Sequence, residues 1–336
     1  MKIENRYNLR EHNTFGMNVD CETFIQIDSN EEIPEVIDGY LRGRKYYILS
    51  GGSNTLFKGN YAGVIIHPAT KGIEIVEDTA DNVILKVAAG ETWDDLIAFC
   101  INNNFYGLEN LTAIPGLVGS APVQNIGAYG VEAKDTVCSV HGVNLSTKSS
   151  FDYSNEECKF AYRNSVFKSN PEHNLLITDV CFCLSKKEKF TLTYRGLTQK
   201  LQDENISLTL KNISEAVRSI RDSKLPDYRK IGNGGSFFKN PVVTSEQYFQ
   251  LLEKHPDLVA FDTNDGQKKL SAGQLIEKCG WKGRKIGDAG VYSKQALVLV
   301  NHGNATPKDI LNLADNIISD VKMSFGVDLE KEINCV

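Results

Sequence analysis

The sequence feature that most limits the possible folds is a long stretch without charge. No charged residue occurs from Asn110 to Val131, and the stretch contains four glycines and two prolines. A helix that spans a membrane needs about 20 predominantly apolar residues, whereas glycine and proline interrupt helices. We therefore interpret the stretch as a buried, glycine-rich loop and expect no membrane span.

Length and composition predict an ordinary globular protein with roughly two domains. The chain has 336 residues, of which 41% are hydrophobic and 24% are charged. The formal net charge is −6, and since nucleic-acid binding relies on clustered lysines and arginines, we expect no nucleic-acid partner. The densest basic run, Lys186-Lys187-Glu188-Lys189, is typical of a solvated loop.

The eight cysteines predict neither a disulfide framework nor a metal site. No two of them have the spacing C-x-x-C, and the six histidines do not cluster with them. Cys181 and Cys183 stand in an apolar run and are expected to pack as small hydrophobic residues. Scattered cysteines suit a reducing compartment, and residues 1–6 lack the apolar segment of a secretory signal, so we expect a cytoplasmic protein.

Hydrophobic periodicity predicts a mixed α+β fold rather than regular βαβ alternation. Strand-like runs occur at residues 46–49, 63–66, 83–87, 175–180 and 296–300. Helices are predicted at 92–102, with Thr92 and Asp95 as a capping pair, at 214–223, after Ser271 with Gln274 completing a capping box, and from Thr306 to Gly326. A domain boundary is expected between residues 205 and 225.

A first glycine segment follows one apolar strand and precedes another. Its residues are Ser50, Gly51, Gly52, Ser53 and Asn54. Glycines permit positive φ and close backbone approach, so successive amide groups can converge on an anion such as a pyrophosphate. The segment matches neither the Walker loop nor the Rossmann motif, and a plain tight turn is an equal alternative.

A second glycine segment lies inside the charge-free stretch. Its candidate ligand-binding residues are Ile114, Pro115, Gly116, Ser120, Gln124, Asn125, Gly127, Tyr129 and Gly130. Small residues let a flat or extended ligand lie against the backbone, and the two side-chain amides can recognise ring heteroatoms. The alternative is a structural loop buried at a domain seam. Two charge-free segments about 60 residues apart nevertheless favour a nucleotide site.

Five motifs, taken in order along the chain, resemble those of one enzyme family. They are Ser50-Gly51-Gly52-Ser53-Asn54, the run from Ile114 to Gly130, Phe160-Ala161-Tyr162-Arg163-Asn164-Ser165-Val166-Phe167, Gly232-Asn233-Gly234-Gly235-Ser236-Phe237-Phe238-Lys239-Asn240-Pro241, and Leu329-Glu330-Lys331-Glu332. With these motifs the chain resembles the UDP-N-acetylenolpyruvoylglucosamine reductases (UDP-N-acetylmuramate dehydrogenases) from Asn13 to Glu332. Their joint occurrence in order makes the resemblance specific.

The resemblance implies a vanillyl-alcohol-oxidase (PCMH) type of FAD-binding fold and a smaller α+β substrate-binding domain. The implied divisions are 1–67 and 68–210 for two FAD-binding subdomains, 211–326 for the substrate-binding domain and 327–336 for a tail that returns to the active site. It further implies non-covalent FAD, NADPH as co-substrate, and reduction of a UDP-sugar enolpyruvyl ether to UDP-N-acetylmuramate for peptidoglycan. We also expect a monomer.

The resemblance assigns roles to six residues outside the glycine segments. Ser236 is the proton donor, Arg163 binds the developing enolate, and Glu332, preferred to Glu330 on motif register, is the acidic catalytic residue. The substrate-binding positions are Tyr194, Lys224 and Asn240, of which Tyr194 belongs to a loop that closes over the substrate in the longer subclass. Asn334 departs from the pattern, because many relatives carry a basic residue there.

Two other functions are compatible with parts of the sequence. One is another flavin oxidase or dehydrogenase with a different reductant or an alcohol substrate, against which the motifs of Ser236 and Glu332 argue. The other is a nucleotide-binding regulatory module without chemistry, which a flavin spectrum of the purified protein would exclude. Bleaching of the flavin by NADPH and its recovery only with the enolpyruvyl sugar nucleotide would exclude the first.

Overall fold

The computed structural model describes residues 1–170, 174–263 and 265–336. These residues form two compact units. The first unit contains Met1–Tyr7, Cys21–Gly51 and Ala62–Arg221, and the second contains Asn8–Asp20, Gly52–Tyr61 and Asp222–Val336. The division at residues 67, 210 and 326 that the resemblance implies stays a prediction.

The described residues contain many short strands and few helices. The strands are β1 (Lys2–Asn8), β2 (Asp20–Ile27), β3 (Tyr46–Ile48), β4 (Thr55–Leu56), β5 (Tyr61–Pro68), β6 (Ile73–Asp78), β7 (Asn82–Ala88), β8 (Gly127–Ala128), β9 (Val131–Glu132), β10 (Val137–Asn144), β11 (Ser150–Ser154), β12 (Leu175–Ser185), β13 (Gly232–Ser236), β14 (Val242–Val243), β15 (Ala260–Asp262), β16 (Lys268–Leu270), β17 (Lys285–Ile286), β18 (Ala289–Val291), β19 (Val298–Asn301) and β20 (Asn334–Cys335). The helices are α1 (Ile33–Val36), α2 (Trp93–Asn102), α3 (Val166–Ser169), α4 (Arg195–Asp203), α5 (Leu210–Lys224), α6 (Ser245–Lys254), α7 (Ala272–Lys278) and α8 (Pro307–Phe325).

The first unit is organised around two larger sheets. A four-stranded sheet has the order β1-β2-β5-β3, in which β3 and β5 are parallel, and a five-stranded antiparallel sheet has the order β11-β10-β12-β7-β6. Helix α2 packs on the five-stranded sheet, and Trp93 lies 6.0 Å from Phe182 between ring centres. The α2 prediction is confirmed, since the Thr92 hydroxyl accepts a hydrogen bond from the Asp95 amide.

The second unit combines a four-stranded antiparallel sheet with the long helix α8. The sheet order is β13-β19-β18-β17, a three-stranded sheet has the order β14-β16-β15, and β20 pairs in parallel with β4. Thr306 and Asp309 form a capping box at the start of α8, and Gly326 ends the helix in the left-handed conformation. Ile310, Leu313, Ile317 and Val321 are buried. The α8 prediction is therefore confirmed.

One helical boundary from the sequence needs correction, and four helices, α1, α3, α4 and α6, were not predicted. Helix α5 begins at Leu210 rather than at residue 214, because the Thr209 hydroxyl accepts a hydrogen bond from the Asn212 amide and caps an earlier turn. Helix α4 was not anticipated, since it carries Gly196 in its first turn and has no side-chain cap. Its Leu197 and Leu201 pack against α5, so tertiary burial outweighs weak local propensity.

Two side-chain assignments were also wrong. The Gln274 side chain does not complete a box with Ser271 but accepts a hydrogen bond from the Val259 amide at 2.8 Å. Cys181 is buried, but Cys183 is exposed. Alternate residues of a strand face opposite sides, and Val180, Phe182 and Leu184 occupy the core side of β12.

Among the described residues, no helix has the length and apolar character that crossing a membrane requires.

Replacing Ile317 by alanine should lower the free energy of unfolding by about 2–5 kcal/mol, because the side chain is fully buried on α8 and its removal leaves a cavity. Met323 lies on the same helix with 75% of its surface exposed, so Met323→Ala should change that energy by less than about 0.5 kcal/mol. Chemical denaturation followed by circular dichroism measures both variants. Equal losses would contradict the assignment of the buried face of α8.

Candidate active site

The first glycine segment is a backbone turn with little room for side chains. Gly52 has φ +61°, and a Cβ there would lie 2.0 Å from the His12 carbonyl oxygen. A Cβ on Gly51 would lie 2.9 Å from the Gly116 Cα atom. Among the described residues, the Ser50 hydroxyl oxygen is buried and has no hydrogen-bond partner. The two glycine segments thus meet at Gly51 and Gly116, next to an unsatisfied buried hydroxyl.

A buried histidine supports the strand that leads into this turn. His67 Nδ1 lies 2.9 Å from the Leu49 carbonyl oxygen, and burial lowers the pKa of His67. The ring is therefore neutral at neutral pH and can donate Nδ1–H to this carbonyl. The sequence analysis missed His67, because a single histidine in a strand gives no recognisable signal.

The second glycine segment is fixed to the start of α2. The Trp93 amide donates to the Gly116 carbonyl at 3.1 Å, and the Gly119 amide donates to the Ala89 carbonyl at 2.9 Å. A Cβ on Gly119 would lie 2.6 Å from the Ala89 Cβ atom. The Ser120 hydroxyl donates to the Leu117 carbonyl at 2.7 Å. Glycine is therefore required here for close packing of one backbone on another.

The segment ends in a tight hairpin between β8 and β9. Its two corner residues are Tyr129, with φ +52°, and Gly130, with φ +85°. Positive φ at both corners is the geometry of a type I′ turn, which matches the twist of a hairpin. Tyr129 takes this conformation despite its side chain, and burial raises the pKa of its phenol.

Asn125 holds the middle of the segment together. Its side chain is completely buried, its nitrogen donates to Glu132 Oε2 at 2.9 Å and to the Ala161 carbonyl at 3.1 Å, and its oxygen accepts from the Lys134 amide at 3.0 Å. These contacts tie the segment to the turn that carries Arg163. Recognition of ligand heteroatoms by Gln124 and Asn125 stays a prediction.

Arg163 lies at the corner of a strained turn. The Ala161 and Asn164 backbones exchange two hydrogen bonds around Tyr162 and Arg163, and Arg163 has φ +53°. Positive φ at the second corner alone is typical of a type II turn, where glycine is favoured. The guanidinium donates to the Gly127 carbonyl at 2.9 Å, so the first unit brings Arg163 and the second glycine segment together.

Tyr194 also rests on the second glycine segment. Its ring centre lies 5.0 Å from that of Tyr129 in an edge-to-face arrangement, and 40% of its surface is exposed. The Asn110 side-chain nitrogen donates to the carbonyls of both Tyr129 and Thr191, at 2.9 and 2.8 Å. Asn110 therefore anchors both the hairpin and the segment at Thr191 that leads to Tyr194. The sequence analysis missed it, although it opens the charge-free stretch.

In the second unit, a β-bulge positions Ser236. Strand β13 pairs Asn233 with Val300 and Ser236 with Val298, so β13 has one extra residue between the two pairs. Gly235 lies in this bulge and has φ +71°, as in the bulge type that places a glycine in the left-handed conformation. The Asn233 side-chain oxygen accepts from the Gly235 amide at 3.0 Å. The bulge thereby reorients the Ser236 end of the strand.

The C-terminal segment returns to this bulged strand. Phe238 and Lys331 form an antiparallel bridge, and the Glu332 amide donates to the Phe237 carbonyl at 2.8 Å. The side-chain nitrogen of Asn54 donates to the Glu332 backbone carbonyl at 3.4 Å, and the backbone amide of Asn334 donates to the Asn54 backbone carbonyl at 3.0 Å. The second unit thus brings together Asn54 and the segments that carry Ser236 and Glu332.

The two neighbouring glutamates differ in their surroundings. Glu332 is buried, with 9% of its surface exposed. Glu330 has a side chain that is 73% exposed, and it forms an ion pair with Lys239 at 2.9 Å. Lys239, which stands close to Ser236 in the sequence, is therefore paired with Glu330 rather than with Glu332.

The remaining two predicted positions also lie in the second unit. Lys224 is the last residue of α5 and is exposed. The Asn240 side-chain oxygen accepts from the Ala272 amide at the start of α7, at 3.0 Å. Asn240 thereby fixes the segment that follows β13 to α7, and its predicted contact with substrate stays a prediction.

Two family models match separate parts of the chain. A model described as an FAD binding domain matches residues 22–147, and a model of the UDP-N-acetylenolpyruvoylglucosamine reductase C-terminal domain matches residues 226–336. The first match includes both glycine segments, and the second includes Ser236, Asn240 and Glu332. The predicted FAD cofactor is thereby confirmed.

Whole-chain relatives carry one name. Proteins named UDP-N-acetylenolpyruvoylglucosamine reductase from Flavobacterium johnsoniae and Chromobacterium violaceum are 42% and 45% identical to this chain. The alignments cover 100% of both chains for the former and 96% of both for the latter. The crystal structure of UDP-N-acetylenolpyruvylglucosamine reductase from Thermus caldophilus matches 100% of this chain and 99% of its own with a TM-score of 0.70 at 23% identity. This similarity confirms the predicted fold.

The first unit fits a flavin dinucleotide on its own geometry. The observations that fit are the buried Ser50 hydroxyl without a partner, the close approach of Gly51 to Gly116 that a Cβ would block, and the positive φ values of the second segment. With identity above 40% over its full length, the chain belongs to the UDP-N-acetylenolpyruvoylglucosamine reductase family of FAD-dependent oxidoreductases.

Proposed function

We propose that the protein reduces UDP-N-acetylenolpyruvoylglucosamine to UDP-N-acetylmuramate for peptidoglycan synthesis, with NADPH as the electron source. When bound, FAD would supply the redox chemistry, namely the transfer of an electron pair from NADPH as hydride to the terminal alkene carbon. The observation that carries the proposal is the glycine bulge before Ser236 beside the returning segment of Glu332. The chain itself must bind both substrates, stabilise charge and deliver a proton.

In this proposal Ser236 delivers the proton. Addition of hydride to the terminal carbon leaves negative charge on the neighbouring carbon and its carboxylate, and that carbon must then be protonated from a fixed direction. The Gly235 conformation sets the direction of the following residue. A serine hydroxyl is a weak acid, so it depends on neighbouring groups that stabilise the charge formed when the proton leaves.

Arg163 and Glu332 are proposed to handle the carboxylate of the intermediate. A guanidinium fork can bind a carboxylate through two parallel hydrogen bonds, and the bond to Gly127 fixes one side of the Arg163 fork. Glu332 is buried and would hydrogen-bond the intermediate through its carboxyl group. The Arg163 interaction strengthens as negative charge develops, and so does that of Glu332 when its carboxyl group is protonated and donates the hydrogen bond; both then favour the transition state over the substrate.

The binding residues divide into two sets. For FAD we propose the two glycine segments, with Ser50, Gly51, Gly52, Ser53 and Asn54 in the first and the residues named above from Ile114 to Gly130 in the second. For the uridine diphosphate part of the substrate we propose Tyr194, Lys224 and Asn240. Tyr194 is half-exposed and packs on Tyr129, so a rotation of its side chain could cover a bound ligand.

We further propose that the protein acts as a monomer in the cytoplasm. The eight cysteines are all reduced in the structure, which suits a reducing compartment. The small molecules that this activity requires are FAD, NADPH and the nucleotide sugar.

Ser236→Ala should leave reduction of the flavin by NADPH nearly unchanged. It should slow reoxidation by the enolpyruvyl sugar nucleotide by about 10³-fold, within the range of a positioned general acid. Stopped-flow absorbance of the flavin measures the two half-reactions separately. Ser293→Ala, at an exposed serine of the same unit, is the control, and equal slowing of both half-reactions by Ser236→Ala would disprove the assigned role.

Glu332→Gln should reduce turnover by about 10²-fold or more, since it removes an acidic group placed against developing charge. Glu330→Gln should change turnover by less than about threefold, because an exposed ion pair contributes little. Steady-state oxidation of NADPH gives both values. A larger loss from Glu330→Gln than from Glu332→Gln would reverse the assignment of the two glutamates.

Arg163→Gly and Arg163→Ala should both abolish most turnover, because each removes the guanidinium. The glycine variant should be more stable than the alanine variant by about 1 kcal/mol, since only alanine keeps the strain of the left-handed conformation. Turnover and chemical denaturation are measured on both proteins. If Arg163→Gly retained wild-type turnover, Arg163 would have no part in the reaction.

A further inference from the structure

A group of nucleophilic side chains lies on the five-stranded sheet of the first unit, outside the predicted active-site residues. We call it the thiol cluster, and its members are Cys138, Ser139, His141, Asp152, Cys181 and Cys183. Residues 180, 182 and 184 of β12 face the core, so Cys181 and Cys183 point to the opposite side of the sheet. Cys183 is exposed, Cys138 is half-buried and Cys181 is buried.

A β-bulge brings two of these thiols together. Strand β10 pairs Val137 with Phe182 and Ser139 with Cys181, so Cys138 is an extra residue opposite a single step of β12. The bulge places Cys138 next to Ser139, the residue that pairs directly with Cys181, so the two cysteines are neighbours across the two strands. Lys86 of β7 is the residue directly opposite Cys181 on its other side.

A histidine and a carboxylate extend the contact into a line of polar groups. Cys181 Sγ lies 3.4 Å from His141 Nε2, and Ser139 Oγ lies 3.0 Å from the same nitrogen. On the other side of the ring, Nδ1 lies 3.3 Å from Asp152 Oδ1. A carboxylate at Nδ1 favours the tautomer in which Nε2 accepts a proton. His141 is therefore placed to take the proton of Cys181.

The same contacts give the two cysteines different chemical character. Hydrogen bonds from Cys138, then from Ser139 and His141, lower the pKa of the Cys181 thiol against the opposing effect of burial. The hydrogen bond to Cys181 and burial raise the pKa of the Cys138 thiol. A thiolate next to a protonated thiol is the arrangement of an attacking and a resolving cysteine.

We propose that Cys138 and Cys181 form a reversible peroxide-sensitive dithiol, a modification site separate from the reductase chemistry. In the first step the Cys181 thiolate attacks a hydroperoxide, the O–O bond breaks, and Cys181 sulfenic acid and an alcohol or water are formed with uptake of one proton. In the second step the Cys138 sulfur attacks the sulfenic sulfur, and a disulfide and water are formed. The two thiols lose two electrons, which reduce the peroxide, and a dithiol reductant reverses the change by exchange.

Cross-strand geometry favours this pairing over the alternative within β12. Disulfides need Cα atoms about 4.4–6.8 Å apart. Residues two apart along a strand, as Cys181 and Cys183 are, lie about 6.4–6.8 Å apart, at the upper limit of that range. Cys138 and Cys181 instead lie on neighbouring paired strands, and Cys138 adjoins the direct partner of Cys181.

The test uses the full-length protein with oxidised flavin and without NADPH, after reduction by a dithiol and removal of the reductant. Hydrogen peroxide is added, the reaction is stopped by alkylation, and tryptic peptides are analysed by mass spectrometry. Because residues 181 and 183 fall in one tryptic peptide, the Cys183→Ser variant is analysed alongside the wild type. We expect eight thiols to fall to six and a cross-link between the peptides of Cys138 and Cys181, both reversed by dithiothreitol.

Two further variants separate a reactive site from a merely structural contact. Cys138→Ser should stop the reaction at Cys181 sulfenic acid, which dimedone traps, whereas Cys181→Ser should form no cross-link. His141→Asn should slow the loss of thiols about three- to tenfold, because the thiolate fraction of Cys181 falls. Flavin absorbance verifies that each variant is folded around its cofactor.

Three outcomes would overturn the proposal. One is oxidation confined to the exposed Cys183, with Cys138 and Cys181 unchanged. Another is an unchanged rate of cross-linking in folded His141→Asn protein. The third is a cross-link that joins Cys181 to Cys183 and disappears in Cys183→Ser. None of these readouts depends on turnover of the sugar nucleotide, so failure here leaves the proposed reductase function standing.

Discussion

The first unit depends on a place where two backbones touch without side chains between them. A Cβ on Gly51 would lie 2.9 Å from the Gly116 Cα atom, a distance that real Cβ atoms essentially never show. Any other residue at position 51 must push apart the turn after β3 and the segment fixed to α2. The buried Ser50 hydroxyl, the hairpin of Tyr129 and the bond from Arg163 to Gly127 all belong to this pair of segments. Van der Waals exclusion therefore sets the shape of the proposed cofactor-binding surface before any hydrogen bond does.

In the second unit, backbone pairing positions the residues of the proposed active site. Main-chain hydrogen bonds from Glu332 to Phe237 and from Asn334 to Asn54 hold the C-terminal segment between the bulged strand and the first glycine turn. Each such bond contributes only about 1 kcal/mol, but together they fix register, and register decides which face a side chain occupies. If the C-terminal segment paired one residue out of register, a neighbour of Glu332 would occupy the buried position and Glu332 would face the other side.

Local patterns predicted the elements whose signals are contained in neighbouring residues. The caps at Thr92 and Thr306, the buried face of α8 and the strands β3 and β5 on either side of the first glycine segment were recognisable. Helix α6 was missed although Thr244 and Gln247 form a local capping box at its start. Features that depend on distant residues were not recognisable. Helix α4 is stabilised by burial against α5, Gln274 finds a partner on another segment, and Cys183 faces solvent because of the pairing of β12. The motif resemblance indicated which residues to examine, whereas the bulge at Gly235 and the turn at Arg163 became visible only in the backbone angles.

The side chain of Asn110 has a mechanical consequence. Its single nitrogen donates to the carbonyls of both Tyr129 and Thr191, so the hairpin and the approach to Tyr194 share one anchor. Displacing either carbonyl by an ångström would break or lengthen its hydrogen bond to Asn110. Because the amide is buried, no water molecule can replace the lost partner. The segments that carry Tyr129 and Tyr194 are thus both held by the Asn110 side chain. A ligand that shifts the hairpin therefore also shifts the segment that leads to Tyr194, even when the ligand does not contact the Tyr194 ring.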